Sequence, residues 1–487
     1  MGELDSRELR RDVLATAIGN AGGLMTRMRT LTGALGLALV AVSAVAATQD
    51  PAPVTNPPER FNMRVVASGL EGPWELSWGP DQHLWVTERK GRRVLRVNPA
   101  DGTKSTLLVL PEVHQSVTQD GLLGMALDPE LLRGTGRDYV YVAFTYDDAA
   151  GPELVRRLAI RRYQYDPSGR VLKNPVDVIL GLPAHDDHVA GRLVLGPDLK
   201  LYLSIGDQGS NFGQNRCNAN LAQDLPTAAD VSARDSSKYQ GKILRIEVDG
   251  SIPADNPLIN GVRSHVFSYG HRNQLGLAFG PGGLLYESEH GPSTDDEVNL
   301  IEAGRNYGWP NVAGHRDDKA YVYANWSASK SQPCRSLPPG DLVPPSVPTQ
   351  AETAFETRNF TPPLRTFFTV ETSDQVKGIG SATIAPGGID VYTNERGIPG
   401  WRSSLLALSL IRGAVYRLPL SADGRTISGP PVELFPTANR YRDIALNPDG
   451  RTIYLATDPE GPSRGPTGAQ RNLANPGSIL ELTYVGN

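Results

Sequence analysis

Cysteine, basic excess and long apolar runs are all scarce in this chain, and each shortage excludes a class of protein. The 487 residues include only Cys217 and Cys334, too few for a disulfide scaffold or a CxxC-type zinc site. The formal net charge is −5, whereas nucleic-acid binders usually carry a basic stripe. Beyond residue 47 no stretch is apolar enough to span a bilayer. No GxGxxG or Walker loop occurs, so a nucleotide cofactor is unsupported.

Helical periodicity is equally scarce after residue 60, while turn-forming residues are abundant. The chain contains 51 glycines and 39 prolines. Glycine tolerates left-handed backbone and proline fixes φ, so both residues favour turns. The composition therefore favours a soluble, turn-rich β protein over a helical bundle.

The N-terminal sequence predicts export from the cytoplasm. Arg27 and Arg29 precede an apolar run over residues 31–47, which ends in an A-x-A pattern at Ala44 and Ala46. This arrangement is typical of a secretory signal peptide, and an uncleaved anchor is the alternative. We predict a signal peptide over residues 1–46, a Pro-rich linker over 47–60 and one β domain over 61–487, in a periplasmic or secreted protein. In an oxidising compartment the two cysteines can pair if the fold brings them close.

One pattern recurs six times between residues 78 and 458: a strand, a turn containing proline, and a strand of alternating apolar residues. The copies are WGPDQHLWVTER, LDPELLRGTGRDYVYVAF, LGPDLKLYLSIGD, FGPGGLLYESEHG, IAPGGIDVYTNE and LNPDGRTIYLATD. Six such repeats predict an all-β fold, a six-bladed β-propeller with long inter-strand loops, rather than two unrelated β domains. Strands over residues 61–68 and 478–485 are expected to pair and close the ring. The longest irregular stretch covers residues 326–361.

Two polar loops carry residues suited to proton and anion chemistry. The segment AHDDHVAGR contains Asp187 and His188, and a histidine beside a carboxylate can act as a general base. The segment GHRNQLG contains Arg272 and Asn273, and the planar fork of arginine suits a carboxylate or an oxyanion. Each loop alone also fits a plainer alternative, a solvated turn or a surface ion pair.

Two further loops indicate a hard cation and an anion. The segment EHGPSTDDEVNLIEAGRNYGWPNVAGHRDD is rich in oxygen donors, and calcium takes about six to eight such ligands. A capped acidic turn is the alternative. The segment NRYRD places Arg440 and Arg442 on one strand face, which is costly unless the two cations share an anion or face solvent.

These loops and their neighbours resemble the soluble PQQ-dependent glucose dehydrogenases, within the wider glucose/sorbosone dehydrogenase family. The resemblance is carried by QDGLLGMALDPE, DHVAGRLVLGPDLKLYLSIGDQG, GKILRIEVDGSIPADNP, GHRN, EHGP, YGWPNVAG, GWRSSLLALSL and NRYRDIALNPDG, and it covers nearly all of residues 61–487. It implies a periplasmic quinoprotein that oxidises aldose sugars at C1 to the lactone, with PQQ and calcium. It also implies a separate electron acceptor, a quinone or a cytochrome, and a possible homodimer.

The resemblance also assigns roles to single residues. His188 would be the catalytic base, Asp187 its partner that orients the ring, and Arg272 would lie over the reacting carbonyl of PQQ. The sugar would contact Gln119, Asp187 and Arg272. The cofactor would be bound by Arg272, Asn273, Thr383, Arg440 and Arg442. Calcium at the cofactor would use the carbonyls of Gly291 and Pro292, and a second, structural calcium would use Glu297, Tyr307, Ala313, His315, Asp317 and Glu352.

Several positions depart from the pattern of the family's glucose dehydrogenases. Gly378 and Ser381 stand in place of an aromatic pair, Ile411 replaces a lysine, Gly213 replaces a bulky apolar residue, and His290 replaces a glutamine. These departures predict a wide, tolerant sugar pocket and weakened PQQ binding. Two other classes of function remain open, a calcium-dependent propeller lactonase or hydrolase and a non-enzymatic extracellular binding propeller.

Overall fold

The computed structural model describes residues 52–55, 57–338, 343–356, 359–376, 382–465, 468 and 472–487. The predicted signal peptide over residues 1–46 lies outside the described residues. The described part of Thr48–Asn487 is almost wholly strand and loop, and no helix in it is long and apolar enough to cross a membrane.

Six four-stranded antiparallel sheets form the blades of a propeller. The first strand, β1 (Arg60–Ala67), belongs to the last blade. Blade I contains β2 (Pro73–Trp78), β3 (Leu84–Glu88), β4 (Arg93–Val97) and β5 (Lys104–Val109). Blade II contains β6 (Leu122–Leu127), β7 (Tyr139–Asp147), β8 (Arg156–Asp166) and β9 (Val171–Pro183). Blade III contains β10 (Ala190–Leu195), β11 (Leu201–Ile205) and β12 (Lys242–Ile246), then a hairpin of β13 (Leu258–Ile259) and β14 (Val262–Arg263), and finally β15 (Val266–Tyr269).

The remaining three blades follow the same plan. Blade IV contains β16 (Gln274–Phe279), β17 (Leu285–Glu289) and β18 (Asp296–Ile301), then a hairpin of β19 (Tyr323–Ala324) and β20 (Thr349–Gln350), and finally β21 (Arg365–Phe367). Blade V contains β22 (Pro386–Tyr392), β23 (Ser404–Ser409), β24 (Val415–Pro419) and β25 (Val432–Leu434). Blade VI contains β26 (Tyr441–Leu446), β27 (Thr452–Thr457), β28 (Ile479–Gly486) and β1.

Helical structure in the described residues is confined to short segments in the loops. The α-helix α1 (Ala228–Ala233) begins with a capping box between Thr227 and Asp230. The 3₁₀ segments are Gly213–Asn215, Ser237–Tyr239, Pro281–Gly283, Trp326–Ala328, Cys334–Ser336, Glu352–Ala354 and Ser373–Gln375.

The ring closes as the sequence predicts. The innermost strands β2, β6, β10, β16, β22 and β26 contact one another in that order, and β26 returns to β2. Strand β1 pairs antiparallel with β28, from Arg60 opposite Gly486 to Ala67 opposite Ile479. This pairing of the first and last strands removes two open sheet edges. The six-bladed all-β propeller is therefore confirmed.

The core consists of apolar side chains packed between neighbouring blades. Strand β7 (YVYVAFTYD) shows why these segments form strands, since aromatic and β-branched residues pack well on a pleated surface. At the ring axis the fully buried Arg192 of β10 bridges Glu75 of β2 and Asp443 of β26, at 2.7 and 2.9 Å. Removing one partner from such a buried network typically costs about 3–5 kcal/mol, so Arg192 helps to hold three blades in register.

Two segments outside the blades are tied to them. Val54, in the predicted linker, accepts from the Glu433 N–H and donates to the Pro431 carbonyl, which places it beside β25. Cys217 and Cys334 form a disulfide with a Cα–Cα distance of 5.6 Å. This bond connects the long loop over residues 326–361 to the 3₁₀ segment that follows β11.

Every innermost strand carries a register irregularity near its start. The shifts fall between Pro73 and Leu76, Leu122 and Met125, Ala190 and Leu193, Gln274 and Gly276, Pro386 and Ile389, and Tyr441 and Asp443. Bulges re-aim the residues next to them. The residues just before each inner strand lie at one end of the ring. We call this end the upper end.

Candidate active site

A cavity of about 580 Å³ opens at the upper end of the ring. Its polar lining includes Arg89, Gln119, Asp187, His290, Arg440, Arg442 and Asp458, and its apolar lining includes Trp74, Phe212, Leu275 and Leu410. The sequence places the predicted Gln119, Asp187, Thr383 and Arg440 each a few residues before an inner strand, and the fold brings these segments to the same end.

His188 is held in one orientation by a buried carboxylate. Its Nδ1 lies 2.7 Å from Asp207 Oδ1, and Asp207 is fully buried after the end of β11. Burial acts to raise the pKa of Asp207, but the charges of His188 and Arg272 and a hydrogen bond from Trp309 outweigh it and hold the pKa below its usual value. An ionised Asp207 can only accept, so Nδ1 carries the proton and Nε2 is left as a base.

The backbone around His188 supports the same interpretation. His188 has φ 43° and is only 6% exposed, and a left-handed non-glycine residue is uncommon away from turns and functional sites. Gly206 makes this placement possible, because a Cβ at that position would lie 2.0 Å from the His188 carbonyl oxygen. The backbone of His188 therefore packs closely against Gly206, next to the Asp207 that binds its ring.

Asp187 has a different role from the one expected. We expected it to orient the His188 ring, but its Oδ1 lies 3.8 Å from Nε2, while Asp207 binds Nδ1. Asp187 Oδ1 instead accepts from the Gln119 amide at 2.9 Å, and the Gln119 oxygen accepts from Asn273 Nδ2 at 3.3 Å. This chain of side chains crosses blades II, III and IV beside the free nitrogen of His188. The orienting role is corrected to Asp207, and Asp187 lies where a substrate hydroxyl would approach.

Arg272 is fixed by its backbone and by aromatic rings. Its N–H donates to Glu289 Oε2 at 2.7 Å and its Nη1 donates to the His290 carbonyl at 3.1 Å. The guanidinium carbon lies 5.6 Å from the centre of the Phe212 ring and 5.3 Å from the Trp309 ring. Its buried Nε has no hydrogen-bond partner, and neither does the buried Oδ1 of Asn273. Both polar atoms are therefore available to a ligand.

Arg440 and Arg442 share an anion that belongs to the protein. Asp458 accepts from Arg442 Nε and Nη2, both at 2.8 Å, and from Arg440 Nε at 3.3 Å. Burial acts to raise the pKa of Asp458, but the charges of Arg442, Arg440 and Arg89 outweigh it and keep the pKa below its usual value. Asp458 therefore supplies at least part of the anion that Arg440 and Arg442 were expected to share. Three guanidiniums thus lie around Asp458, and Glu460 is a further carboxylate at the cavity that acts on Arg89.

The loop from His290 to Asp296 is held against blade V. The Asp296 carboxylate accepts from the Thr383 hydroxyl, from the Gly291 N–H at 2.9 Å and from the Ile384 N–H at 2.7 Å. Thr383, expected to bind the cofactor, thus gives its hydroxyl to Asp296. A Cβ on Gly291 would lie 1.9 Å from the Thr294 carbonyl oxygen. Only glycine therefore fits at this position, where backbone carbonyls lie close together. Burial, followed by the charge of Arg272, lowers the pKa of His290 to about 3.

The donors expected to hold a second calcium gather around residues 313–318. Glu297 accepts from the Gly314 N–H at 2.7 Å, and Glu352 accepts from the Ala313 N–H at 2.9 Å. Burial raises the pKa of Glu352 to about 8, and the charge of Asp317 adds to this effect. Buried carboxylates that destabilise one another in this way are suited to a hard cation.

One expected donor of this set is engaged elsewhere. The Tyr307 hydroxyl donates to the Leu300 carbonyl at 2.6 Å and accepts from the Glu302 N–H at 2.9 Å. Its side chain is therefore not directed at the carboxylates, and we correct its assignment as a side-chain donor. His315 was expected to contribute only its carbonyl.

Calcium should stabilise the fold more at high pH than at low pH. Because the pKa of Glu352 is raised to about 8, its stabilising contribution as a protonated group is complete below its ordinary value of 4.5 and is lost as the pH rises towards 8. We expect the melting temperature of metal-free protein to fall across this window, and calcium to restore it. A ligand bound only by the native state adds about 2.7 kcal/mol at a hundredfold excess over its Kd.

The measurement is thermal unfolding of resin-stripped protein from pH 5 to pH 8, with and without added calcium, and with magnesium as the matched control. A calcium effect that is absent, or one that shrinks as the pH rises, would remove the structural calcium from this account.

A larger surface groove of about 1190 Å³ lies at the opposite end of the ring, where the inner strands end. Its carboxylates are paired: Asp81 with Arg96 at 2.5 Å, Asp128 with Arg137 at 2.9 Å and Glu481 with Arg64 at 2.6 Å. Its histidine, His83, has Nδ1 beside the Asp81 carbonyl and not beside a carboxylate, and the groove lacks the three arginines of the upper cavity, so the smaller cavity is the better candidate active site.

The family model for glucose/sorbosone dehydrogenases matches residues 70–340 and 368–464, which is most of the chain. The chain belongs to this family. Quinoprotein glucose dehydrogenase B of Acinetobacter calcoaceticus is 42% identical over 440 residues, which cover 88% of this chain and 91% of the relative. Aldose sugar dehydrogenase YliI of Escherichia coli is 26% identical and covers 82% of this chain and 91% of its own length. The PQQ-bound form of an aldose sugar dehydrogenase from Streptomyces coelicolor is 27% identical, with a TM-score of 0.60 over 88% of this chain and 100% of that chain.

The positions that depart from the family's pattern are only partly resolved. Gly378 and Ser381 lie outside the described residues. Ile411 is 7% exposed, and its neighbour Leu410 lines the cavity instead. Beside Gly213, Phe212 lines the cavity with a half-exposed ring, so the apolar wall expected to be missing is supplied one residue earlier. The prediction of an open wall is therefore wrong at this position.

Asp207, Asp458 and Arg89 were missed by the sequence reasoning. Asp207 and Asp458 are the last residues of two of the six repeats, YLSIGD and YLATD. In an antiparallel hairpin the end of the second strand lies beside the start of the first. An acidic residue at the end of a repeat is therefore predicted to meet the residues before the same inner strand, and this signal could have found both.

Proposed function

We propose that the protein oxidises aldose sugars at C1 to the lactone in the upper cavity, with PQQ and calcium as cofactors. The observation that carries the proposal is the Asp207–His188 pair, whose free nitrogen lies beside the cavity-lining Asp187, opposite a cluster of three arginines. The names of the quinoprotein relatives support it.

The residues present fit an anionic, planar cofactor. PQQ carries three carboxylates, and three arginines suited to bind them, Arg89, Arg440 and Arg442, line the cavity beside Asp458 and Glu460. Arginine binds carboxylates with two parallel hydrogen bonds. The buried Nε of Arg272 and Oδ1 of Asn273 lack protein partners and would be satisfied by a polar ligand. Apolar side chains of Trp74, Leu275 and Leu410 offer a surface for the ring faces.

A bound PQQ would supply the two-electron acceptor for the hydride that leaves C1, and calcium near Gly291 and Pro292 would supply Lewis acidity. The protein supplies the proton chemistry. His188 Nε2 takes the proton from the C1 hydroxyl as the C1–H bond breaks and the C1=O bond of the lactone forms. Asp207 keeps Nδ1 protonated and stabilises the imidazolium that results.

The remaining side chains position the sugar and balance charge. Asp187 and Gln119 present an acceptor and a donor to sugar hydroxyls beside the base. Arg272 places a fixed positive charge near the developing oxyanion, where such charge is most effective in a buried site. Turnover would require a separate electron acceptor, a quinone or a cytochrome. The periplasmic or secreted location and the homodimer stay predictions.

We expect the loaded enzyme to oxidise several aldoses with modest discrimination. The rim is formed by exposed side chains such as Phe212, and one methylene in an apolar pocket is worth only about 1–3 kcal/mol. The measurement is kcat/KM on a panel of mono- and disaccharides with an artificial electron acceptor, after loading with PQQ and calcium. Phosphorylated sugars and lactones serve as controls.

One strongly preferred sugar with a low KM would contradict the proposed tolerance of the pocket. It would leave the proposed dehydrogenase activity intact. If the protein oxidised no aldose but hydrolysed a lactone, the proposed dehydrogenase activity would be wrong and the hydrolase would be the better assignment.

A further inference from the structure

A second cluster of ligand-type side chains lies beneath the cavity, inside the protein. His271, Glu287 and Glu289 are all fully or almost fully buried, and one ligand atom from each lies within 4.8 Å of the others. Glu287 and Glu289 are two residues apart on β17, so both face the same side of blade IV, and His271 comes from the loop before β16.

The polar atoms of this cluster are left without partners. The Nδ1 of His271 has no hydrogen bond and points towards Glu289 Oε1, 3.6 Å away. The Oε1 of Glu287 and the Oδ1 of Asn299 are also buried without a partner. Each such atom costs free energy unless a ligand satisfies it.

Two cations near the cluster, Lys242 and Arg272, direct their side-chain hydrogen bonds to backbone carbonyls. Lys242, a buried cation near His271, donates its three protons to the carbonyls of Leu221, Ala222 and Gln240. Arg272 meets Glu289 through its backbone N–H, and its Nη1 donates to a carbonyl. Neither of these two cations therefore pairs with Glu287 or Glu289 through a side-chain hydrogen bond.

We propose that His271, Glu287 and Glu289 bind one divalent first-row transition-metal ion, such as zinc or manganese. The ligand set of one imidazole nitrogen and two carboxylate oxygens suits these ions better than calcium, which prefers oxygen alone. The charge of the ion equals that of the two carboxylates, and Asn299 Oδ1 offers a further oxygen. The expected calcium donor Glu297 lies opposite Glu289 in the sheet and shares the Asn299 amide with Glu287, so this site borders the calcium set but uses none of its ligands.

The neighbours of the cluster show what such an ion would do. Ser268 lies 2.9 Å from His271 Nε2, and the Tyr307 ring stacks on the imidazole at 4.6 Å, so the ring is held for binding through Nδ1. The second oxygen of Glu289 holds the backbone of Arg272, the residue next to His271. A bound ion would therefore hold in place the loop that carries Arg272, beneath the cavity.

The test is the metal content of the full-length protein, expressed in medium supplied with zinc and manganese and measured by elemental analysis after removal of loosely bound metal. We expect close to one equivalent of zinc or manganese per chain in addition to calcium. Glu287→Gln should lose that equivalent while keeping calcium, and the exposed control Glu112→Gln should keep both. Substitution with cobalt should give a visible absorption band that is absent from Glu287→Gln.

Wild-type protein without zinc, manganese or cobalt after such expression would overturn the proposal and leave Glu287 and Glu289 as a pair sharing a proton. Retention of the metal by Glu287→Gln would also overturn it. Neither readout depends on sugar oxidation, so the result is independent of the proposed function.

Discussion

Replacing His188 by alanine is expected to lower kcat by about a hundred- to ten-thousand-fold, the usual cost of losing a general base. The variant removes the nitrogen that takes the C1 hydroxyl proton. It leaves Arg89, Arg440 and Arg442 in place, so PQQ should still bind. The measurement is steady-state sugar oxidation together with an absorbance titration of PQQ into the calcium-loaded variant.

A matched control is His83→Ala, which removes a histidine in the β2–β3 turn at the opposite end of the ring. Its kcat should remain within a few-fold of wild type. Turnover by His188→Ala close to that of His83→Ala would show that another group takes the proton.

The second large effect is expected from Asp207→Asn. The amide of asparagine can donate to Nδ1, which would place the imidazole proton on Nε2 and leave no base facing the cavity. A comparable change in a Ser-His-Asp triad lowers kcat by about 10⁴-fold. We expect a loss in kcat of at least about a hundredfold, measured under saturating sugar and PQQ.

Asp187→Asn is the comparison that separates the two carboxylates. It keeps an oxygen for the Gln119 amide and does not contact Nδ1. We expect it to act chiefly on KM, because Asp187 is the residue proposed to contact the sugar. Since Asp207 is buried against Trp309 and Asn220, the melting temperature of each variant must be measured beside its kinetics. A larger loss of kcat in Asp187→Asn than in Asp207→Asn would contradict the correction made from the structure.

The fold could be predicted from the sequence because its repeats are periodic. Six copies of a strand–turn–strand pattern indicate six blades, and two terminal strands indicate how the ring closes. The same periodicity placed Gln119, Asp187, Arg272 and Arg440 near the starts of inner strands, hence at one end. These residues could be assigned to one group from their positions before the strands alone, without any knowledge of side-chain contacts.

What the sequence did not provide is the pairing of charges within the cavity. Asp187 is adjacent to His188 in the chain, and adjacency suggested a partner. The strand turns at His188 in a left-handed conformation, and the hairpin of β10 and β11 brings Asp207, nineteen residues later, to the ring instead. Asp458 reaches the two arginines in the same way. Phe212 reaches the cavity from the loop after β11, and His271 meets Glu287 and Glu289 across the β16–β17 hairpin of blade IV, and a pattern along one strand contains neither contact.

The central claim is that the upper cavity binds PQQ and reduces it with an aldose. The most direct measurement mixes metal-free protein with PQQ and calcium, then adds glucose without oxygen or any other acceptor, and follows the cofactor absorbance. The account predicts saturable binding of one PQQ per chain, full reduction by glucose, and one lactone formed per cofactor. PQQ that binds but keeps its oxidised spectrum with every aldose, or that does not bind, would contradict the account.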